Sequence, residues 1–274
     1  MRRPTSSTST DSIEGGSAVA FYDTIGVGYA SIRRPDPRLH TEISAALGAY
    51  GRVLNVGAGT GSYEPADRDV VAVEPSRLMI AQRPPDTGPP VLGVAELLPI
   101  ASRSVDAAMA IFSIQHWSDI AAGIAEMVRV SRKSIVLVTI DTEALAAHWM
   151  VSEYAPEILD VHASGFPSIS FLLDQLPGAM STPWLVPTDC TDAFFVALWS
   201  RPELYLQPEV RAATSVWHQL PQETVDAVLA RLADDLKTGR WDERHGELRT
   251  CPALDVGVRI VRADVGRSTG RVNR

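Results

Sequence analysis

Val53-Leu54-Asn55-Val56-Gly57-Ala58-Gly59-Thr60-Gly61-Ser62 decides the fold, because here a mostly apolar run passes without a break into G-x-G-x-G. A short apolar run ending in glycines reads as a buried strand followed by a tight loop. Glycines lack Cβ atoms, so the backbone can approach a ligand closely, and a helix start is expected just beyond. The next apolar run, Val70-Val71-Ala72-Val73, ends in Glu74. A carboxylate at that point can accept both hydroxyls of a ribose. A dinucleotide fingerprint G-x-G-x-x-G would need glycine where this chain has Ser62, together with room for a pyrophosphate. The loop therefore suits an adenosine without phosphates.

Further strands are expected at 91–94, 105–111 and 135–140, with helices at 39–50, 76–82 and 119–130. In the last helix Ile120, Ile124, Met127 and Val128 share one face. Strand and helix in alternation mean a parallel α/β sheet, with chemistry at the carboxyl ends of the strands. A short strand at 184–186 and a closing strand at 255–262 are also expected. An amphipathic helix at 222–236 carries Val225, Val228, Leu229 and Leu232 on one face and is stopped by Gly239. Asp189-Cys190-Thr191-Asp192 has the composition of a helix start. The segments 142–178 and 188–252 have no strand set of their own and read as caps on a single domain spanning 17–265. The polar ends, 1–16 and 266–274, read as disordered tails.

The 274 residues are 45% hydrophobic and 21% charged, an ordinary globular composition. Lys and Arg number 25 against 33 Asp and Glu, a formal charge of −8. This lacks the basic footprint that nucleic-acid binding needs. No apolar run approaches a membrane span and no secretory segment follows Arg2 and Arg3, so a cytoplasmic protein with no membrane partner is expected. Cys190 and Cys251 read as reduced thiols, and the histidines have no ligand spacing, so no metal is expected. The oligomeric state is open.

Val53 to Ser62, Glu74, Ala95-Glu96 before Leu98-Pro99, and Ser104-Val105-Asp106 ahead of Phe112-Ser113-Ile114-Gln115-His116-Trp117 resemble class I S-adenosylmethionine-dependent methyltransferases. The likeness is closest to the small-molecule "type 11" group. It runs from about Phe21 to Asp141 and more loosely to Asp264, where Arg201-Pro202-Glu203 and Trp241-Asp242 also look similar. The resemblance implies a Rossmann-like sheet, mostly parallel with its last strand antiparallel, under helical caps. It implies S-adenosylmethionine as cofactor, S-adenosylhomocysteine as product and a small-molecule partner. Gly57, Ala58, Gly59 and Gly61 would border the methionine part, Glu74 the ribose, and Pro75, Met79, Ala95 and Glu96 the adenine, while Phe112 would stand at the carboxyl edge beside the sulfonium, where an acceptor enters. Asn55 departs from the family, whose strand usually ends in an acid. Phe21-Tyr22-Asp23, Tyr29, Arg33 and Arg34 resemble the family's N-terminal covering helix, which places Tyr29 or Arg34 to meet the cofactor carboxylate.

Methyl transfer is an in-line displacement that requires alignment, exclusion of water and removal of a proton. His116 is the candidate base, since an ordinary histidine titrates near neutral pH; packing is its other reading. Trp117, Asp141, His148, Trp149 and Tyr154 are the candidate substrate contacts. Two alternatives share this layout: a nicotinamide-dependent oxidoreductase, disfavoured by Ser62 and by the lack of a Tyr-x-x-x-Lys pair, and a non-catalytic cofactor-binding module.

Overall fold

A computed structural model describes residues 29–266 except 86, 88, 89 and 164, with 29, 30, 162 and 163 described by backbone alone. The expected tails and Phe21 to Asp23 lie outside the described residues, apart from Gly266. Seven strands form one sheet in the order β3-β2-β1-β4-β5-β9-β6. They are β1 Arg52–Val56, β2 Asp69–Glu74, β3 Val91–Leu92, β4 Val105–Ile111, β5 Ser131–Ile140, β6 Met180–Pro183 and β9 Val258–Asp264. The first five run parallel, and β9 runs antiparallel between β5 and β6. Strand order reverses between β1 and β4, and loops leaving adjacent strands in opposite directions open a crevice there. A small ribbon, β7 Val186–Pro187 with β8 Ala253–Leu254, stands apart.

Two-residue alternation sorts each strand between two cores. Val53, Ala107, Met109, Val136 and Val138 face one cluster, while Leu54, Val56, Ala108, Ala110, Ile135 and Leu137 face the other. This is the covering on both faces that unbroken apolar strands require. Helix α1, Pro37–Leu47, buries Leu39, Ile43 and Leu47 against the first cluster; it begins under an Asp36 cap and ends at Gly48. Helix α2, Arg77–Ala81, and helix α3, Ile120–Val130, follow β2 and precede β5. The buried residues of α3 are Gly123, Ile124, Met127 and Val130.

Two expectations fail. No helix follows the glycine loop, since residues 57–68 contain only turns before β2. The strand read at 184–186 is instead β7 plus the sheet strand β6, whose short polar sequence Met180-Ser181-Thr182-Pro183 carries no strand signature. Its place at the sheet edge explains how Pro183 is tolerated.

The caps share the first core cluster with the sheet, through Trp149, Phe195, Trp199, Trp217 and Trp241. Helix α4, Thr142–Ala146, opens the first cap, and helix α5, Gln222–Thr238, spans the second up to Gly239, which adopts a left-handed φ of 81°. No helix among the described residues is long and apolar enough to cross a membrane. His148 is buried between the caps, its Nδ1 accepting from the Met150 amide at 3.2 Å. Burial, with a smaller repulsion from His245, pushes its pKa down to about 4. Below an ordinary pKa of about 6.5 the unfolded chain binds a proton that the native state refuses, so this stability is lost as pH falls. Acidification from pH 7.5 to 5 should cost about 2 kcal/mol through this residue alone. Urea unfolding of His148→Leu should show a correspondingly shallower acid dependence than the native chain; equal slopes would contradict this.

Candidate active site

All three glycines of the loop after β1 lie in the left-handed region, Gly57 at φ 69°, Gly59 at 52° and Gly61 at 91°. At Gly57 a close approach adds a second demand: a Cβ would lie 2.6 Å from Ser113 Cβ and 2.8 Å from its Oγ. Ser113 Oγ donates to the Val56 carbonyl at 2.8 Å, stitching the loop after β4 to the end of β1. The Gly59 amide donates to Glu74 Oε2 at 2.7 Å, and the Ser76 amide to Oε1 at 2.8 Å. Met79 Cε lies 3.4 Å from where a Cβ on Gly59 would stand. Buried Ala58 sits between these glycines. Half-buried Pro75 leads into Ser76, whose hydroxyl caps α2 by accepting from the Met79 amide at 3.2 Å. Gly57, Gly59, Glu74 and Met79 therefore converge on the crevice.

Beneath the loop, Asn55 Nδ2 donates to Glu64 Oε1 at 3.0 Å, while Arg83 Nη2 pairs with Glu64 Oε2 at 2.7 Å. The acid missing from the end of β1 thus arrives from Glu64. Both side chains of this ion pair are nearly closed to solvent, and a Cβ on Gly61 would lie 3.1 Å from Arg83 Nη1. With no helix to brace it, the loop rests on this pair. Sequence reasoning missed both residues, because nothing in a separation of 19 positions pairs them.

The loop after β4 bends at once, with Phe112 at φ 50°, a conformation that costs a residue with a side chain roughly 1–3 kcal/mol. Its ring lies 4.9 Å from that of Phe194. Gln115 Nε2 donates to the Phe112 carbonyl at 2.8 Å and lies 3.1 Å from His116 Nε2. Beyond Phe112 a cleft of about 70 Å³, open to solvent, is lined by Phe112, Gln115, Phe194, Phe195, Val216 and the second cap's Ser215, with Arg33 also on its wall.

A methyltransferase domain family matches residues 54–139. A putative methyltransferase from an antibiotic biosynthesis pathway of Anabaena variabilis ATCC 29413 is 33% identical, with a TM-score of 0.78 over 85% of this chain and 98% of that one. The chain belongs to the class I, type 11 methyltransferases. Phosphoethanolamine N-methyltransferase 2 of Haemonchus contortus, solved with S-adenosyl-L-methionine, shares the fold at 14% identity and a TM-score of 0.56, over 92% of this chain and 60% of that one. No curated protein matches the sequence.

Several expected contacts of this methyltransferase lie elsewhere. Ala95 is buried in the turn Ala95–Leu97, but Glu96 turns away: its Oε1 accepts from the Ser118 amide at 2.5 Å and the Asp119 amide at 3.2 Å, bracing the start of α3. Arg34 is exposed and donates to Ser31 O at 3.1 Å; Arg33 turns inward instead. Arg33 pairs with Asp192 at 2.5 Å, and Asp192 Oδ2 also accepts from Tyr63 Oη at 2.8 Å. Asp189 to Asp192 is accordingly no helix start: Asp189 lies in a turn, Thr191 in a bend, and Asp192 alone bridges to Arg33. The side chain of Tyr29 is outside the described atoms.

Trp117 lies flat on Gly123, where a Cβ would meet its ring at 2.4 Å, and its Nε1 stands 3.8 Å from the Cβ position of Gly57, making it a wall of the loop. The other four expected substrate contacts do not line the cleft. Trp149 Nε1 donates to Trp199 O at 2.7 Å, and Tyr154 Oη to Asp235 Oδ2 at 2.7 Å. His148 is buried behind Phe195, and Asp141 caps α4 and pairs with Arg259 at 3.1 Å. His116 is also absent from the cleft wall, where Gln115 stands instead.

Gly57→Ala should lower unfolding stability by roughly 1–3 kcal/mol from backbone strain and overpacking. Ser113→Gly should recover part of that loss in the double variant, measured as coupling in a denaturation cycle. Simple additivity would refute the contact.

Proposed function

We propose that this methyltransferase uses S-adenosylmethionine to methylate a small molecule held in the cleft beside Phe112. One observation carries the reading: Gly57 and Ser113 touch, so the glycine crevice and the cleft are neighbours across a single loop. The residues fit the cofactor. A left-handed glycine loop offers close backbone approach, and Glu74, anchored by the Gly59 and Ser76 amides, stands where ribose hydroxyls can donate to it. Gly57, Ala58, Gly59 and Gly61 would border the methionine part, with Pro75, Met79 and Ala95 around the adenine. When bound, the cofactor supplies a methyl group on a sulfonium, which an acceptor's lone pair takes in line as the carbon–sulfur electron pair returns to sulfur.

The protein's own work is alignment and exclusion of water. Phe112 and Trp117 wall the passage, and the caps close its far side. Gln115 Nε2 has both hydrogens placed, one on the Phe112 carbonyl and one directed at His116 Nε2. In this reading His116 positions Gln115, and the acceptor's proton leaves to water through the open side of the cleft. The formal charge of −8 and the phenylalanines on the cleft wall support a small neutral acceptor over nucleic acid.

Glu74→Ala should weaken S-adenosylhomocysteine binding about 10- to 150-fold in calorimetry, the worth of charge-assisted hydrogen bonds. S-adenosylhomocysteine should raise the melting temperature of the native chain while NAD does not. A rise with NAD alone would overturn the proposal, and binding without any turnover of S-adenosylmethionine would make the chain a binding module. His116→Ala should raise KM and leave the shape of the pH–rate profile unchanged; loss of its acidic limb would make His116 the base.

A further inference from the structure

We propose that the cleft takes an uncharged aromatic acceptor carrying a hydroxyl or amino group, and that Gln115 Oε1 receives the hydrogen bond from that group. The inference rests on the methyl-transfer reading for its chemistry and on the cleft for its specificity.

The orientation of Gln115 is fixed by its surroundings. An amide oxygen placed 2.8 Å from the Phe112 carbonyl would set two acceptors against each other, so the nitrogen must stand there. Oε1 is therefore turned the other way, is buried, and has no hydrogen-bond partner among the described residues. A buried acceptor without a donor is costly, and a ligand that brings one relieves the cost. Gln115 lines the cleft, so a donor arriving from there can reach this residue.

Charge narrows the class. Among the described residues lining the cleft, Arg33 is the one charged side chain, and Asp192 already neutralises it at 2.5 Å. A carboxylate or phosphate would find no open cation, and an ammonium would find no carboxylate. The remaining wall carries two hydroxyl residues, Thr214, which donates to the Val210 carbonyl, and Ser215, beside an apolar and partly flat part in which Phe112 and Phe194 lie 4.9 Å apart, with Phe195, Leu145 and Val216 around them. A phenol or an aromatic amine matches each feature. Its ring lies among the phenylalanines, its N–H or O–H donates to Oε1, and the remaining lone pair stays available for the methyl carbon. On transfer the new bond to carbon forms from that lone pair, and the proton passes to water because a neutral carboxamide does not retain it.

The test compares 4-methylphenol, toluene and benzoate by ligand-observed NMR titration, with and without S-adenosylhomocysteine. The native chain should prefer 4-methylphenol over toluene by about 2- to 12-fold, the worth of one hydrogen bond, and should bind benzoate more weakly than either. Gln115→Leu should abolish the preference while leaving S-adenosylhomocysteine affinity within about 2-fold, because the residue lies on the acceptor side. Equal binding of 4-methylphenol and toluene, binding of benzoate as tight as 4-methylphenol, or no binding at millimolar concentration would overturn the proposal. If Gln115→Leu does not fold, the native comparison decides alone. A preference for 4-methylphenol without binding of S-adenosylhomocysteine would support the cleft assignment and refute methyl transfer. S-adenosylhomocysteine binding without the preference would do the reverse.

Discussion

The contact between Gly57 and Ser113 is the constraint on which the site depends. Two strands on either side of the reversal in strand order send their loops apart, and only a residue without Cβ lets those loops meet again. The Ser113 hydroxyl fastens to the Val56 carbonyl at that point. From there the chain turns through the strained Phe112, so one short segment faces the glycine crevice on one side and the cleft on the other. Strain of this kind survives where surrounding structure over-determines it, and here the Val138 carbonyl holds the Phe112 amide at 2.9 Å.

A buried polar network holds the second cap over that segment. Asp36 is fully buried; burial alone would raise its pKa, but hydrogen bonds from Arg38 and the Thr191 amide outweigh that and hold the carboxyl well below its ordinary range. Tyr63 is pushed far above its ordinary value, by burial first and by Asp192 second, so its hydroxyl remains a donor. The carboxylate of Asp36 is thus satisfied by neighbouring Arg38 and by the distant Thr191 amide, and that of Asp192 by the distant Arg33 and Tyr63. Removing one partner of such a network strands the other in the interior, which makes the docking of the cap specific. The glycine loop is held in a comparable way by Asn55, Glu64 and Arg83, which take the place of the missing helix.

What the sequence revealed followed local rules. Apolar runs marked the five parallel strands, alternation of Val256, Val258 and Ile260 marked β9, and Gly239 ended α5 as expected. The glycine loop and Glu74 were legible because strand, loop and acid are close in sequence. What stayed hidden was decided by distance. Met180 to Pro183 becomes a strand only because β9 offers an edge to pair with. Glu64 and Arg83 find each other only after folding. Trp149 and Tyr154 looked like substrate contacts because an aromatic residue inside a cap and one on its wall have the same local sequence. Gln115, one position before the histidine that attracted attention, stands on the cleft because the turn at Phe112 directs it there.

The most direct measurement is a crystal structure of the chain with S-adenosylhomocysteine. The account predicts the adenosyl group lying across Gly59 with its ribose on Glu74 and its sulfur facing Phe112 and the cleft. An adenosyl group bound elsewhere, or a crevice closed by the protein's own side chains at saturating ligand, would contradict it.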